Sequence, residues 1–155
     1  MLCIGEKVPN FRLPASGGQE IGLSDFQGQY VVLYFYPRDN TPGCTTQSID
    51  FSNARDDFSR ANTVILGVSK DSVESHEKFI QKRELTIPLL SDENDDLCEA
   101  FDVWTEKSMY GKKFMGIVRS TFLIDPNGIL IHAWRKVKVP NHVDTVLSHV
   151  KEIQS

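Results

Sequence analysis

Apolar and polar positions change period several times along the chain, and each change marks an element. In residues 1–29, Phe11 and Leu13, then Ile21 and Leu23, alternate with polar neighbours in short stretches broken by Pro9, Pro14 and Gly17-Gly18. That pattern predicts a β-hairpin-like start. Tyr30-Val31-Val32-Leu33-Tyr34-Phe35-Tyr36 then forms an unbroken apolar run stopped by Pro37. A run without alternation suits a central strand covered on both faces. From about 44 to 60, Phe51, Ala54 and Phe58 recur at helical spacing, and Thr63 to Val68 forms a second buried strand. Ser72 caps a helix running to about 84 with Val73, His76 and Ile80 on one face. Asn94, Asp95 and Asp96 supply the cap and acidic first turn of a short helix bearing Leu97, Cys98 and Phe101.

Residues 102–118, rich in Gly, Lys and Met, carry no clear period and are expected to be an irregular linker. Next, Ser120–Ile124 and Ile129–Ala133 flank Asp125-Pro126-Asn127-Gly128, a strong hairpin signal. After Pro140 a last helix is predicted, with Asn141 at its N-cap and Val143, Val146, Leu147, Val150 and Ile153 as its buried stripe. There are no internal repeats. Strand–helix–strand–helix followed by a hairpin and a helix predicts one α/β domain spanning 1–155. Its fold would be thioredoxin-like, a central mixed sheet flanked by helices with an N-terminal β-hairpin.

Composition narrows the function. The 155 residues (17.5 kDa) are 40% hydrophobic and 25% charged, ordinary globular values that leave no whole-chain disorder. A formal charge of −4 argues against a nucleic-acid partner. No apolar run approaches the ~20 residues that span a bilayer, so no membrane association is expected. Met1 to Lys7 lack the charged and apolar regions of a secretory leader, which points to the cytoplasm. Cys3, Cys44 and Cys98 form no Cys-x-x-Cys pair and fall in no ligand spacing with His76, His132, His142 and His149. Neither a disulfide framework nor a metal site is expected, and no cofactor. One reactive thiol is the remaining possibility.

The informative stretch runs from Tyr36 to Gln47, where the first central strand gives way to a helix. Functional crevices of α/β sheets lie at such strand ends. Thr41 suits the N-cap and Pro42 the first helical position, which makes Cys44 the third residue. Thr41 and Cys44 then stand at the two ends of a capping box, with a thiol in the usual place of Glu. A thiolate there faces backbone N–H groups and the positive end of the helix dipole, which favour the ionised, nucleophilic form. The bland alternative is a small buried residue at an ordinary helix start. Against it stands the absence of any large apolar residue between Thr41 and Thr46.

Pro37-x-x-x-Thr41-x-x-Cys44 resembles the peroxidatic motif of the peroxiredoxins, and Thr41-Pro42-Gly43-Cys44-Thr45-x-Gln47 is similar to that of the Q-type group, the bacterioferritin comigratory proteins. The likeness continues through Gly5-x-x-Val8-Pro9-x-Phe11-x-Leu13-Pro14, Leu66-Gly67-Val68-Ser69-x-Asp71 and Leu90-Ser91-Asp92. It then takes in Val103-Trp104, Met115-Gly116-Ile117-x-Arg119 to Asp125, and Asn141-His142. The resemblance implies a thiol peroxidase that reduces hydrogen peroxide and organic hydroperoxides, working as a monomer in antioxidant defence. It makes Cys44 the peroxidatic nucleophile, oxidised to a sulfenic acid. Thr41 would hydrogen-bond the peroxide, Pro37 would shield the pocket from water, and Arg119 would hold the thiolate and polarise the oxygens. Trp104 and Phe122 are expected to pack rather than react.

The chain departs from that family where the oxidised cysteine is resolved. Many Q-type members carry a resolving cysteine five residues after the peroxidatic one, where this chain has Ile49. Others carry it in the next helix, near Phe79 and Ile80. Two routes stay open: attack by an external donor, thioredoxin or a similar small thiol, or a disulfide with Cys98. An alternative to turnover is a peroxide sensor or holdase-like protein of the same fold. Gln47, where a Cys-x-x-Cys motif would need its second cysteine, argues against a thioredoxin-type dithiol centre.

Overall fold

The computed structural model describes residues 2–155; Met1, the first residue of the stretch considered as a leader, lies outside them. In chain order the elements are β1 (Arg12–Ala15), β2 (Gln19–Gly22), β3 (Tyr30–Phe35), α1 (Pro42–Arg60), β4 (Thr63–Ser69), α2 (Val73–Arg83), β5 (Leu89–Ser91), α3 (Leu97–Ala100), β6 (Trp104–Met109), β7 (Lys112–Ile117), β8 (Ser120–Ile124), β9 (Leu130–Arg135) and α4 (His142–Gln154). Seven strands form one sheet in the order β2-β1-β5-β4-β3-β8-β9. β3, β4 and β5 run parallel, β8 pairs antiparallel to β3, and β9 antiparallel to β8. This is the mixed, thioredoxin-like sheet expected, opened by the β1–β2 hairpin. Among the described residues, no helix is long and apolar enough to cross a membrane.

β3 explains why its sequence shows no alternation. Val31, Leu33 and Phe35 face one apolar cluster with α3 residues Leu97 and Cys98 and with Phe101 and Phe122. Val32 and Tyr34, with Tyr36 beyond the strand end, face another with Cys44, Phe51, Phe79 and Val146, from α1, α2 and α4. Burying each large apolar side chain contributes about 2 kcal/mol, so both faces demand apolar residues. Gly67 on β4 leaves room for the Tyr34 ring: a Cβ there would lie 2.8 Å from the tyrosine Cζ. Tyr34 then stacks on Phe51 at 4.5 Å, and its hydroxyl and Ser48 Oγ lie 2.9 Å apart. The first half of α1 is thereby pinned to the sheet centre.

Four expectations need correction. Residues 102–118 are not irregular: β6 and β7 pair in a hairpin of their own, with Trp104 opposite Ile117 and Met109 opposite Lys112. Tyr110 and Gly111 make its tight turn, both with positive φ (52° and 76°), the two-residue geometry that suits antiparallel strands. Asp96 does stand at the N-cap of α3, but its side chain makes no capping bond. The buried carboxylate of Asp92 instead accepts the Leu97 and Cys98 N–H groups at 3.0 and 2.8 Å. Ile153 is exposed rather than part of the α4 stripe, and on α2 the buried residues are His76 and Phe79, with Val73 and Ile80 half-buried.

Candidate active site

The loop between β3 and α1 owes its shape to a buried polar knot. Asp39 accepts from the Tyr36 hydroxyl at 2.6 Å and from Ser75 Oγ at 2.7 Å, and it lies 2.8 Å from His76 Nδ1. The Asp39 N–H donates to Asp71 at 2.8 Å, and His76 Nε2 donates to the Leu90 carbonyl at 2.9 Å. Asp39, Asp71 and His76 bring possible ligand atoms within 4.8 Å of one another. Those atoms are engaged with hydroxyls, N–H groups and each other, so the knot serves as an anchor for the loop. Asn40, at φ 61°, then turns the chain into the helix.

Thr41 is the N-cap, Pro42 the first helical residue and Cys44 the third. The capping box does not form: the Thr41 hydroxyl donates backwards to the Arg38 carbonyl at 2.9 Å and leaves the helix N–H groups alone. The Cys44 sulfur is fully buried. Arg119 Nη2 approaches it to 3.3 Å, while Nη1 donates to Gln47 Oε1 at 2.6 Å. One guanidinium therefore spans the cysteine and the residue one helical turn later. Gly43 makes this possible, since a Cβ there would lie 3.1 Å from Nη2. Backbone bonds fix Arg119 itself: Val118 N–H to the Val103 carbonyl (2.8 Å) and Val137 N–H to the Arg119 carbonyl (2.9 Å). Pro37 is exposed just past the end of β3, and Thr41 is half-buried.

Gln47 was legible only as a motif letter, yet it orients the arginine. Its signal was a polar side chain on the stripe of α1 that also carries Cys44, Ser48 and Phe51 into the core. Gln47 Nε2 and Thr45 Oγ1 are buried with no hydrogen-bond partner, two polar groups within one turn of the sulfur.

His142, the first residue of α4, is buried, and its Nε2 lies 2.8 Å from Thr121 Oγ1. Burial, with the charge of Arg119 adding, pushes its imidazole down to about 4. An unfolded histidine titrates near 6.5, so the unfolded chain binds the extra proton first. Stability from neutral His142 is full above about pH 6.5 and is lost as pH falls toward 4. The shift corresponds to at most about 3 kcal/mol, reduced by partial solvent screening. The thermal midpoint should therefore fall through this window, and His142→Gln, which keeps a hydrogen-bonding side chain without a titrating ring, should flatten the fall. Equal slopes for the two proteins would refute the assignment.

Cys98 is also fully buried, but among the partners of the opposite sheet face. Burial, then the charge of Asp92, pushes its thiol well above the ordinary range. Ile49 and Ile80 are half-buried and Phe79 is buried, at the positions where the family resemblance would place a resolving cysteine.

Comparison with known proteins agrees with this architecture. The AhpC/TSA family model matches residues 4–133. Peroxiredoxin Bcp of Bacillus subtilis is 51% identical over 150 residues, 97% of this chain and 96% of that one. A PrxQ cysteine-to-serine variant from Xylella fastidiosa superposes with a TM-score of 0.95 at 45% identity, covering 100% and 99% of the two chains. The bacterioferritin comigratory protein of Xanthomonas campestris, studied for alkyl peroxide reduction, superposes at 0.89 with 48% identity, covering 94% and 92%.

Proposed function

We propose that Cys44 is the peroxide-reducing nucleophile of this protein, on the premise of its family: the chain belongs to the AhpC/TSA family and, within it, to the Bcp/PrxQ peroxiredoxins. It is a thiol peroxidase. One observation carries the assignment of residues, the guanidinium of Arg119 at 3.3 Å from a buried cysteine sulfur in the first turn of α1.

The Cys44 thiolate attacks one oxygen of hydrogen peroxide or an organic hydroperoxide. The O–O electron pair leaves with the other oxygen, which takes a proton and departs as water or an alcohol, and Cys44 is left as a sulfenic acid. Arg119 holds the thiolate and stabilises the charge developing on the leaving oxygen. Thr41, whose hydroxyl hydrogen is committed to Arg38, has oxygen lone pairs left to accept the peroxide O–H. Pro37 presents an apolar ring without an N–H to the water outside the loop.

The sulfenic acid is resolved by an external thiol, thioredoxin or a similar small donor, which attacks Sγ, releases water and forms a mixed disulfide. A second donor thiol frees Cys44. A disulfide needs Cα atoms within about 7 Å, and the sheet lies between Cys44 and Cys98. The raised Cys98 thiol is moreover a poor nucleophile. Residues 1–155 work as one domain and one monomer in a reducing cytoplasm, where such thiols stay reduced. Cys98→Ser should leave turnover with thioredoxin or glutathione largely unchanged, and peptide mapping of the oxidised wild type should show no Cys44–Cys98 disulfide. Loss of turnover in the variant, together with that disulfide, would establish the internal route instead.

A further inference from the structure

The β6–β7 hairpin leads straight into the residue that touches Cys44, and one of its side chains points back toward that junction. Lys107 on β6 lies opposite Phe114 on β7. Its stem crosses Gly116, where a Cβ would meet Lys107 Cδ at 3.0 Å and Cε at 3.3 Å. Its ammonium donates to the carbonyl of Ile117, two residues before Arg119. Lys107 is half-buried on a hairpin that is otherwise largely exposed, with Met109, Tyr110, Phe114 and Met115 open to solvent. A long cation folded down onto the base of a hairpin forgoes solvation, and a surface lysine has no need to do so.

We propose that Lys107 is a second cationic positioning residue of the peroxide-reducing centre: held across Gly116 onto the Ile117 carbonyl, its ammonium fixes the strand end that carries Arg119 and adds positive charge to the field in which Cys44 reacts. This role rests on the assignment of Cys44 and Arg119 above. The electrostatics agree with it. Burial lowers the Lys107 ammonium from its usual range, the charge of Arg119 lowers it further, and Cys44 opposes them. Within the hairpin, Phe114 opposite is apolar, while Glu106 faces Lys113 at 3.7 Å. His142, the other titrating neighbour of Arg119, is neutral above about pH 4 and takes no part in the alkaline range.

The test is the second-order rate of Cys44 oxidation by hydrogen peroxide, followed by sulfenic-acid trapping from pH 6 to 10 in the wild type, Lys107→Met, Lys107→Arg and Gly116→Ala. Lys107→Met should react about tenfold more slowly at neutral pH, the size of effect expected from one charge near a reacting thiolate. The wild-type rate should decline at alkaline pH as Lys107 loses its proton, before the ordinary lysine range near 10.4. Lys107→Met should lack that decline, and Lys107→Arg, always charged, should keep a near-wild-type rate with the decline removed. Gly116→Ala displaces the lysine stem and should reproduce part of the loss with Lys107 present. A merely structural role would move the thermal midpoint and leave the pH profile alone. Lys107→Met reacting at the wild-type rate with the wild-type profile overturns the role of Lys107 alone. No trapping at Cys44 in the wild type overturns the underlying assignment as well.

Discussion

Cys44→Ser is expected to leave no measurable peroxide turnover, a loss of about 10³-fold or more, because a serine hydroxyl is not ionised and is a weak nucleophile. The fold should survive. Serine is close in size to cysteine, and the surrounding cluster of Tyr34, Tyr36 and Phe51 is held by its own stacking and by the Tyr34–Ser48 contact. A serine oxygen can also accept from Arg119, so the guanidinium does not lose a partner outright. Steady-state turnover with a thiol donor, measured beside the thermal midpoint, separates lost chemistry from lost structure. Near-wild-type turnover in this variant would remove Cys44 from the mechanism.

Arg119→Met should slow the peroxide step by about 10²- to 10³-fold, the usual effect of removing one donor aimed at developing charge. Methionine fills similar volume but carries no donor, so Cys44 loses its 3.3 Å partner and the leaving oxygen its counter-charge. The variant should also lose stability. Gln47 already has a buried Nε2 without a partner, and without Arg119 its Oε1 loses the 2.6 Å bond too. An unsatisfied buried polar group costs about 1–3 kcal/mol. Because Arg119 acts on the oxidation step, the effect belongs in the rate of Cys44 oxidation and not in the later attack by the thiol donor. A wild-type oxidation rate in Arg119→Met would show that proximity in the fold is not participation in the chemistry.

What the sequence made legible follows from how each element is covered. β3 could be recognised because both its faces are buried, which forces an unbroken apolar run. The β6–β7 hairpin escaped notice for the opposite reason: most of its residues are exposed, so neither face selects a period, and its turn is Tyr110-Gly111 rather than a strong Asn-Gly signal. β5 has three residues, too few for any periodicity. The cap of α3 arrives from Asp92, five and six residues before the N–H groups it serves, beyond the local window in which caps are sought. At the site, helical register alone placed Cys44 in the first turn of α1. Arg119 lies 75 residues away and came only from the family motif, because nothing local links it to the cysteine. Thr41 was right in position and wrong in its bond, since a threonine hydroxyl at a helix start can either accept from a helix N–H or donate back to a preceding carbonyl, and here it donates. Gln47 could be understood only once the guanidinium was in place.

The central claim is that Cys44 is the nucleophile that attacks peroxide and takes up its oxygen, and its most direct measurement is the fate of each thiol after a single oxidation. The reduced wild-type protein would be treated with one equivalent of hydrogen peroxide in the presence of a sulfenic-acid trap, digested and mapped by mass spectrometry. The account predicts the adduct on the peptide containing Cys44, with Cys98 and Cys3 unlabelled. An adduct on Cys98 or Cys3 with the Cys44 thiol intact would contradict it.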